Sequence, residues 1–317
     1  MASTKGKAGI NNESSSGRDS GRTDAGSPTI SAGAASLTTN RTYTLDDLDT
    51  IATVGTGTFG RVFLVKDKKT RGFFALKAMK IPDVIRLKQE QHVHNEKEVL
   101  TEVNHPFLVR LFWTHHDDRF LYMLMEYVNG GELFSYLRSR GRFSNSTGMF
   151  YSAEIVCAIE YLHSKEIVYR DLKPENILLD NEGHIRLTDF GFAKKLSERY
   201  PPFFDDNPFG IYQKILAGKL EFPRHLDFYV KDLIKKFLVI DRARRLGNMK
   251  NGADDVKKHR WFKSVDWESV PCRKLKPPIV PKVSHEGDTS NFDTYPEDEW
   301  KKDTPVAAKD LEIFKNF

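Results

Sequence analysis

One eight-residue run constrains this chain more than any other feature: the sequence YRDLKPEN at residues 169–176. It places an acid, a lysine and an amide, Asp171, Lys173 and Asn176, on one short segment. Thirteen residues after Asn176, a second acid opens the triplet DFG at Asp189. A polar loop between two strands would explain an Arg-Asp pair, but it does not explain the whole run together with the triplet. The pattern therefore predicts a polar reaction centre built on a loop and a following turn.

The composition is that of a chain that buries a core, in one large or two smaller domains, with 317 residues of which 39% are hydrophobic. Lys and Arg number 49 against 44 Asp and Glu, and the charges are interleaved, so no nucleic-acid partner is expected. Cys157 and Cys272 lie far apart, which argues against a disulfide framework or a zinc site and fits a reducing compartment. No apolar run reaches the length of a membrane span, so no membrane association is expected.

Residues 1–42 differ from the rest because they contain no Phe, Tyr or Trp and consist largely of Ser, Thr, Gly and Ala. Such a segment buries too little apolar surface to offset the entropy that ordering would cost. We predict that it is disordered and that the folded part begins at Tyr43.

A glycine-rich stretch, Gly55 to Gly60, lies between two predicted strands, and Val62 follows it. The pattern G-x-G-x-x-G-x-V allows the backbone to close over phosphates and to present N–H donors without obstruction by side chains. A dinucleotide-binding fold is the alternative, but it needs a helix directly after the loop. A strand follows here, and Lys77 lies seventeen residues past Gly60, so a flap over nucleotide phosphates is favoured.

Residues 87–103 are polar and have strong helix propensity. Phosphate chemistry predicts an acid on this helix that pairs with Lys77 and holds it in place. From spacing alone three acids qualify: Glu96, which we prefer, and Glu98 and Glu102, which would otherwise lie on the exposed face.

Two apolar runs, 108–113 and 120–127, predict a hairpin of buried strands that ends in a hinge at 125–131. A second, short hairpin is predicted from 177–180 and 185–188, and it leads into the DFG triplet.

Between the hairpins we predict a long helix that is capped by Ser144 and ends at His163. Cys157 lies on or beside its apolar face, where packing is a better interpretation than a reactive thiol. The apolar stripe of this helix, at steps of three and four residues, consists of Met149, Val156, Ile159 and Leu162.

These motifs together resemble the AGC group of serine/threonine protein kinases, and within it the family of cAMP-dependent protein kinase catalytic subunits with its X-linked branch. The resemblance covers about residues 44–317. Its most specific stretches are 55–62, 81–96, 120–143 and 169–195.

The resemblance implies an α+β fold, the bilobal protein kinase fold. The small β-sheet lobe would span 43–128, the mainly helical large lobe 129–270 and a C-terminal tail 271–317. In the tail, Phe292 and Tyr295 are expected to approach the nucleotide, and Phe314 and Phe317 to dock on the small lobe.

ATP and Mg²⁺ are the implied cofactors. Asp171 would accept the proton of a substrate hydroxyl, Lys173 would lie near the transferred group, and Lys77 would pair with Glu96. Asn176 and Asp189 would bind the metal ions. The backbone at Glu126 and Val128 would form hydrogen bonds with the adenine edge. The other residues implied for the nucleotide site are Gly55, Thr56, Gly57, Thr58, Phe59, Gly60, Val62, Ala75, Met125, Glu132 and Glu175.

The implied substrates are proteins with arginine upstream of the target serine or threonine, since Glu132 and Glu175 match acids that recognise such arginines. Gln213 stands where the classical catalytic subunit has a further acid, so recognition nearest the phosphorylation site is less well supported. Further implied partners are cAMP-binding regulatory subunits and a pseudosubstrate inhibitor protein, in the cytoplasm and the nucleus.

The resemblance breaks after Tyr200, where roughly fifty residues of the family pattern are absent. The absent part contains the activation loop with its phosphorylatable threonine, the A-P-E-type motif and a buried helix. Arg170 and Arg245 would lose their partners, which is costly for a buried guanidinium. The large lobe would therefore be internally truncated. The helices predicted at 144–163 and 230–238 would lose a packing surface as a result.

Three interpretations follow: an active basophilic kinase, a protein that binds nucleotide without turnover, and a splicing or gene-model product without a stable fold or a function. Lys77, Glu96, Asp171, Asn176 and Asp189 are all present, so any inactivity would be architectural. We predict severely impaired catalysis, a persistent small lobe and a poorly stable large lobe.

Overall fold

The structure is a computed structural model that describes residues 42–57, 60–195, 222–297 and 305–317. The chain divides into two units, Met1–Arg41 and Thr42–Phe317, and the description below concerns the second. The predicted disordered segment, apart from Thr42, lies outside the described residues, as do Thr58, Phe59 and Gln213.

The first part of the described chain is a five-stranded antiparallel sheet in the order β1-β2-β3-β5-β4. Its strands are β1 (Leu48–Gly57), β2 (Gly60–Asp67), β3 (Phe73–Lys80), β4 (Leu111–His116) and β5 (Phe120–Glu126). The apolar residues of β3 and β5 are largely buried, which agrees with their nearly continuous apolar sequence. The register pairs Lys77 with Val62 on one side and with Met123 on the other, so the lysine lies in the middle of the sheet.

The strand predicted at 108–113 was placed too early, since β4 begins at Leu111 and continues to His116. Leu108 instead forms a bridge with Leu187, and the N–H of Val109 donates to the carbonyl of Leu187 at 2.9 Å. Local sequence does not reveal this pairing because its partner lies far along the chain.

The helix predicted at 87–103 corresponds to α2 (Glu90–Glu102), which begins three residues later than predicted, and a separate helix that was not predicted, α1 (Ile81–Arg86), precedes it. Lys88, between them, has a φ of 53°, a backbone conformation that no helix contains. Helix propensity alone did not predict this interruption. Val93, Val99 and Leu100 are buried on the inner face of α2.

The second part is mainly helical, with α3 (Leu133–Arg140) and α4 (Asn145–Ser164) before the YRDLKPEN run at 169–176. Ser144 caps α4 as predicted, since its Oγ accepts from the N–H of Thr147 at 3.1 Å. The later elements are β6 (Ile167–Val168), β7 (Ile177–Leu179), β8 (Ile185–Leu187), β9 (Lys194–Lys195), α5 (Phe228–Phe237), α6 (Ala253–Lys257) and α7 (Ala308–Glu312). Among the described helices, none is long and apolar enough to cross a membrane.

The predicted apolar stripe of α4 is only partly correct. Leu162 is fully buried, but Met149, Val156 and Ile159 are half-buried. The residues of α4 that are fully covered are instead Tyr151, Ala153, Glu154, Cys157, Ala158 and Leu162, together with Thr147 near its start. Burial raises the pKa of the Cys157 thiol to about 11, in keeping with a packing role.

Helix α5 and the residues after it leave large apolar side chains in solvent. Phe228 is 76% exposed, and Leu238 and Ile240 are 54% and 57% exposed. Such exposure is unusual for a folded domain. It is the result expected if this helix lacks a packing surface.

The C-terminal segment runs along the hinge and the first sheet. The hydroxyl of Tyr127 donates to the carbonyl of Asp288 at 2.8 Å, and Asn291 donates its side-chain N–H to the carbonyl of Asn129 at 3.0 Å. At the end of the chain, Phe314 and Phe317 are buried beside His94 of α2.

Candidate active site

A cavity of about 580 Å³ lies where the first sheet meets the helical part. This size suits a nucleotide-sized ligand. Most of the predicted site residues line it: Gly55, Thr56, Gly57, Gly60, Val62, Ala75, Lys77, Glu96, Met125, Glu126, Val128, Asn176 and Asp189. The sequence analysis missed several other residues of the lining. Three of them, Val54, Leu178 and Thr188, adjoin a predicted site residue or strand. The others are Arg61, Met79, Leu87, Gln89, His92, Val93, Val109, Tyr127, Gly191 and Phe192.

Lys77 and Glu96 form a close ion pair inside this cavity. The ammonium nitrogen lies 2.8 Å and 2.7 Å from the two carboxylate oxygens. Glu98 is exposed, and Glu102 pairs with Lys195 at 2.7 Å, so Glu96 is the acid that contacts the lysine.

Burial by itself would lower the pKa of Lys77, but the carboxylates of Glu96 and Asp189 outweigh it and raise that pKa above its ordinary value. The lysine is therefore a permanent cation in the cavity. Such a cation suits the binding of phosphate oxygens.

The YRDLKPEN run at 169–176 holds its polar groups in one network. Lys173 donates to Oδ2 of Asp171 at 2.8 Å, and the amide of Asn176 donates to the same oxygen at 2.8 Å. The Asn176 amide also donates to the main-chain carbonyl of Asp171 at 3.0 Å. The hydrogen bond to Asp171 raises the pKa of Lys173, so the lysine stays charged near neutral pH.

The position of Asp189 is set by strand β8, which precedes it, and by Phe190, which follows it. It has a φ of 62°, an uncommon conformation for a residue other than glycine. Phe190 is fully buried against Tyr169, with ring centroids 5.1 Å apart. The Tyr169 hydroxyl donates to the carbonyl of Thr188 at 2.5 Å. The turn at Asp189 is thus fixed from both sides.

The glycine-rich hairpin covers one side of the cavity. Gly57 pairs with Gly60, and the two residues between them lie outside the described part of the chain. A Cβ added at Gly60 would lie 2.2 Å from the carbonyl oxygen of Ala78, so β2 and β3 approach too closely for any other residue there.

Among the predicted site residues that the structure describes, four do not line the cavity: Asp171, Lys173, Glu132 and Glu175. A further acid from the C-terminal segment, Asp293, lies near Glu132. Burial raises the pKa of Glu132, and the nearby carboxylates of Glu175 and Asp293 raise it further. This local negative potential favours a cationic group as a neighbour. Asp293 was not among the predicted site residues.

Arg170 and Arg245 both contact main-chain carbonyls in place of the partners that the family pattern would provide. Nε of Arg170 donates to the carbonyl of Phe192 at 2.7 Å, and Nε of Arg245 donates to that of Val239 at 2.9 Å. Arg170 is exposed, so its charge remains hydrated and its desolvation cost is small.

Comparison with known proteins agrees with this geometry. The family described as protein kinase domain matches residues 48–210, so fold and site define a protein kinase. More narrowly, the chain is 70% identical to the cAMP-dependent protein kinase catalytic subunit PRKX of Homo sapiens, over 87% of this chain and 88% of the relative. The Mus musculus PRKX is 66% identical over 87% of this chain and 89% of its own. The cAMP-dependent protein kinase catalytic subunit 3 of Drosophila melanogaster is 52% identical over 87% of this chain and 54% of its own. The chain belongs to this family of serine/threonine protein kinases.

The same comparison measures the missing part. The alignment with the human relative has 315 positions but uses 87% of the 317 residues, about 276, so about 39 positions of the relative have no counterpart here. The alignment with the fly relative has 317 positions and also uses 87% of this chain, so about 41 positions of that relative have no counterpart here. The absent part is therefore about forty positions, somewhat shorter than the fifty that the sequence analysis predicted.

Proposed function

We propose that the cavity binds ATP with Mg²⁺ and that its residues are arranged to transfer the γ-phosphoryl group to a serine or threonine of a protein. The observation that carries this proposal is the Lys77–Glu96 ion pair within the cavity that Asn176 and Asp189 also line. A cation held in place by an acid, next to oxygen ligands for a metal, is what phosphoryl transfer requires of a protein.

The residues present fit both cofactors. Asn176 uses its amide nitrogen to bind Asp171, so its carbonyl oxygen is left to face a metal ion, and Asp189 offers a carboxylate. Oxygen ligands of this kind suit Mg²⁺, which commonly takes only one or two of them from the protein and the rest from phosphates and water. The bound Mg²⁺ would neutralise charge on the phosphates.

The chain's own groups would act as follows. Lys77 binds phosphate oxygens, and Glu96 keeps it oriented. Asp171 accepts the proton of the substrate hydroxyl at its carboxylate, which Lys173 and Asn176 hold by hydrogen bonds of 2.8 Å. The main chain at Glu126 and Val128 bonds the adenine edge, and Phe292 closes that end of the cavity.

For the protein substrate, we propose that Glu132 and Glu175 select arginines upstream of the target residue. The support is the position of Glu132: burial raises its pKa, the carboxylates of Glu175 and Asp293 raise it further, and a guanidinium would relieve their repulsion. We also propose regulation by cAMP-binding regulatory subunits and by a pseudosubstrate inhibitor, in the cytoplasm and the nucleus, on the basis of the family alone.

The alternative is a chain that binds ATP but transfers phosphate poorly or not at all. Two observations favour it: the roughly forty positions without a counterpart, and the solvent-exposed Phe228, Leu238 and Ile240 around α5. A platform for the substrate peptide would need the rigid support that a well-packed helical part provides.

Transfer of labelled phosphate from ATP to an Arg-Arg-x-Ser peptide separates the two candidates. The matched control is Asp171→Asn, which keeps the size of the side chain and removes the proton acceptor. Transfer that the control abolishes would establish an active kinase. Binding of MgATP with transfer no greater than that of the control would establish the non-catalytic alternative.

A further inference from the structure

A second cavity borders the hinge. Its volume is about 250 Å³, and it shares Glu126 and Tyr127 with the candidate nucleotide cavity. Arg186 lines the second cavity and not the first. The hinge therefore has a polar neighbour on the side that the proposed nucleotide does not occupy.

Arg186 connects the hinge to the strand that leads to Asp189. It lies on β8, where it pairs with Leu178 of β7. Nη2 of Arg186 is 3.0 Å from Oε1 of Glu126, the last residue of β5, and the two side chains are only 17% and 26% exposed. An ion pair with this degree of burial is less screened than one on the surface.

The other nearby acid, Asp180, is bound mainly to other groups, so Glu126 is the carboxylate closest to Arg186. Oδ1 of Asp180 accepts from the N–H groups of Glu182, Gly183 and His184, and its Oδ2 is 2.6 Å from Arg273. That Oδ2 is 3.9 Å from Nε of Arg186, and this buried Nε has no hydrogen-bond partner in the described part of the chain.

Glu126 in turn depends on the arginine. Burial raises the pKa of Glu126, and the guanidinium of Arg186 opposes that shift. The backbone of Glu126 is held as well, since its N–H donates to the carbonyl of Arg110 at 2.8 Å. Loss of the arginine would leave a half-buried carboxylate that moves toward water and pulls the hinge with it.

We propose that Arg186 is a positioning residue for the base of the nucleotide: its ion pair with Glu126 fixes the hinge backbone against which adenine binds. The inference rests on the proposed function. It assigns Arg186 no contact with ligand, and it predicts an effect on the base alone, because Lys77 and Asp189 bind the phosphate end from other elements.

The test is calorimetric binding to the full chain of three probes: MgATP, adenosine, and magnesium tripolyphosphate. In Arg186→Gln, MgATP and adenosine are expected to bind about tenfold more weakly, since small displacements of a positioning group have effects of this order. Tripolyphosphate is expected to bind within about twofold of the parent chain. A merely structural role would weaken all three probes alike.

Arg273→Gln is the matched control, because Arg273 belongs to the same network but pairs with Asp180 and Glu182 instead of Glu126. It is expected to leave adenosine binding unchanged. If Arg186→Gln does not fold, Arg186→Lys replaces it: the lysine keeps a positive charge beside Glu126 and should retain adenosine affinity within about threefold.

Unchanged adenosine affinity in Arg186→Gln, an equal loss for all three probes, or an equal loss in Arg273→Gln would overturn the inference. Where Arg186→Gln does not fold, loss of adenosine affinity in a folded Arg186→Lys chain would do the same. A parent chain that binds no MgATP would overturn the proposed function and this inference with it. A parent chain that binds MgATP, combined with an unaffected Arg186→Gln, would leave the proposed function standing.

Discussion

Lys77 illustrates how several constraints meet on one residue. The strand register places it between Val62 and Met123, packing leaves its side chain only 19% exposed, and Glu96 and Asp189 keep it charged. Each constraint comes from a different segment of the chain. A charge held in this way binds anions more strongly than one on a mobile surface lysine.

Replacing Glu96 by Gln removes the negative partner and keeps the shape of the side chain. Because Lys77 then loses its bidentate ion pair, MgATP affinity should fall by about tenfold or more. Calorimetric titration of the full chain measures this. Glu98→Gln, two residues away on the exposed face of α2, should bind as the parent does. Equal affinities for the two substituted chains would contradict the role given to Glu96.

At the scale of elements, helices α2 and α4 show the two ways in which local signals and tertiary packing combine. The start of α4 follows from one side chain, since Ser144 caps it. The break before α2 does not, because the left-handed residue Lys88 carries no signal in its own chemistry. A helix cap depends on a local hydrogen bond, whereas the position at which a helix is interrupted also depends on what the helix packs against.

Ser144→Ala should therefore destabilise the helical part by about 1 kcal/mol, the usual effect of losing an N-cap. Denaturant unfolding monitored by far-UV circular dichroism measures the change. Ser139→Ala, on the exposed side of α3, is the control and should alter stability by no more than about 0.5 kcal/mol. A midpoint that Ser144→Ala leaves unmoved would mean that this helix end does not limit stability.

The whole molecule combines residues that are expected for phosphoryl transfer with a helical part that leaves apolar side chains exposed. The glycine hairpin, Lys77, Glu96 and Asp189 all reach one cavity. The predicted stripe of α4 is mostly half-buried and several apolar side chains of α5 are exposed, while about forty positions of the human relative have no counterpart in this chain. The glycine hairpin and the three charged residues of the cavity are present because they come from segments before Tyr200, where the resemblance to the family pattern breaks.

Inserting the corresponding segment of the human relative between Tyr200 and Pro201 tests this view. Such an insertion should restore packing against α4 and α5 and raise transfer to an Arg-Arg-x-Ser peptide by about a hundredfold or more, since substrate positioning contributes on that scale. The same chimera with Asp171→Asn gives the background. Equal transfer by chimera and parent would show that the missing segment is not what limits activity.

The sequence alone predicted much of the site, because loop motifs carry their chemistry in neighbouring residues. Asp171, Lys173 and Asn176 lie within six positions, and the structure brings them into one network as that spacing suggested. The glycine hairpin and the cap of α4 are equally local. Such features depend on backbone conformations and hydrogen bonds that a few consecutive residues decide.

Tertiary structure alone decided which distant residues meet. Nothing in the local pattern distinguished Glu96 from Glu98 and Glu102 until the packing of α2 turned one of them toward Lys77. The start of β4, the Glu126–Arg186 ion pair and the carbonyl partners of Arg170 and Arg245 depend equally on contacts between separate elements. These contacts are selected by burial and charge in the folded chain, and no short window of sequence contains both partners.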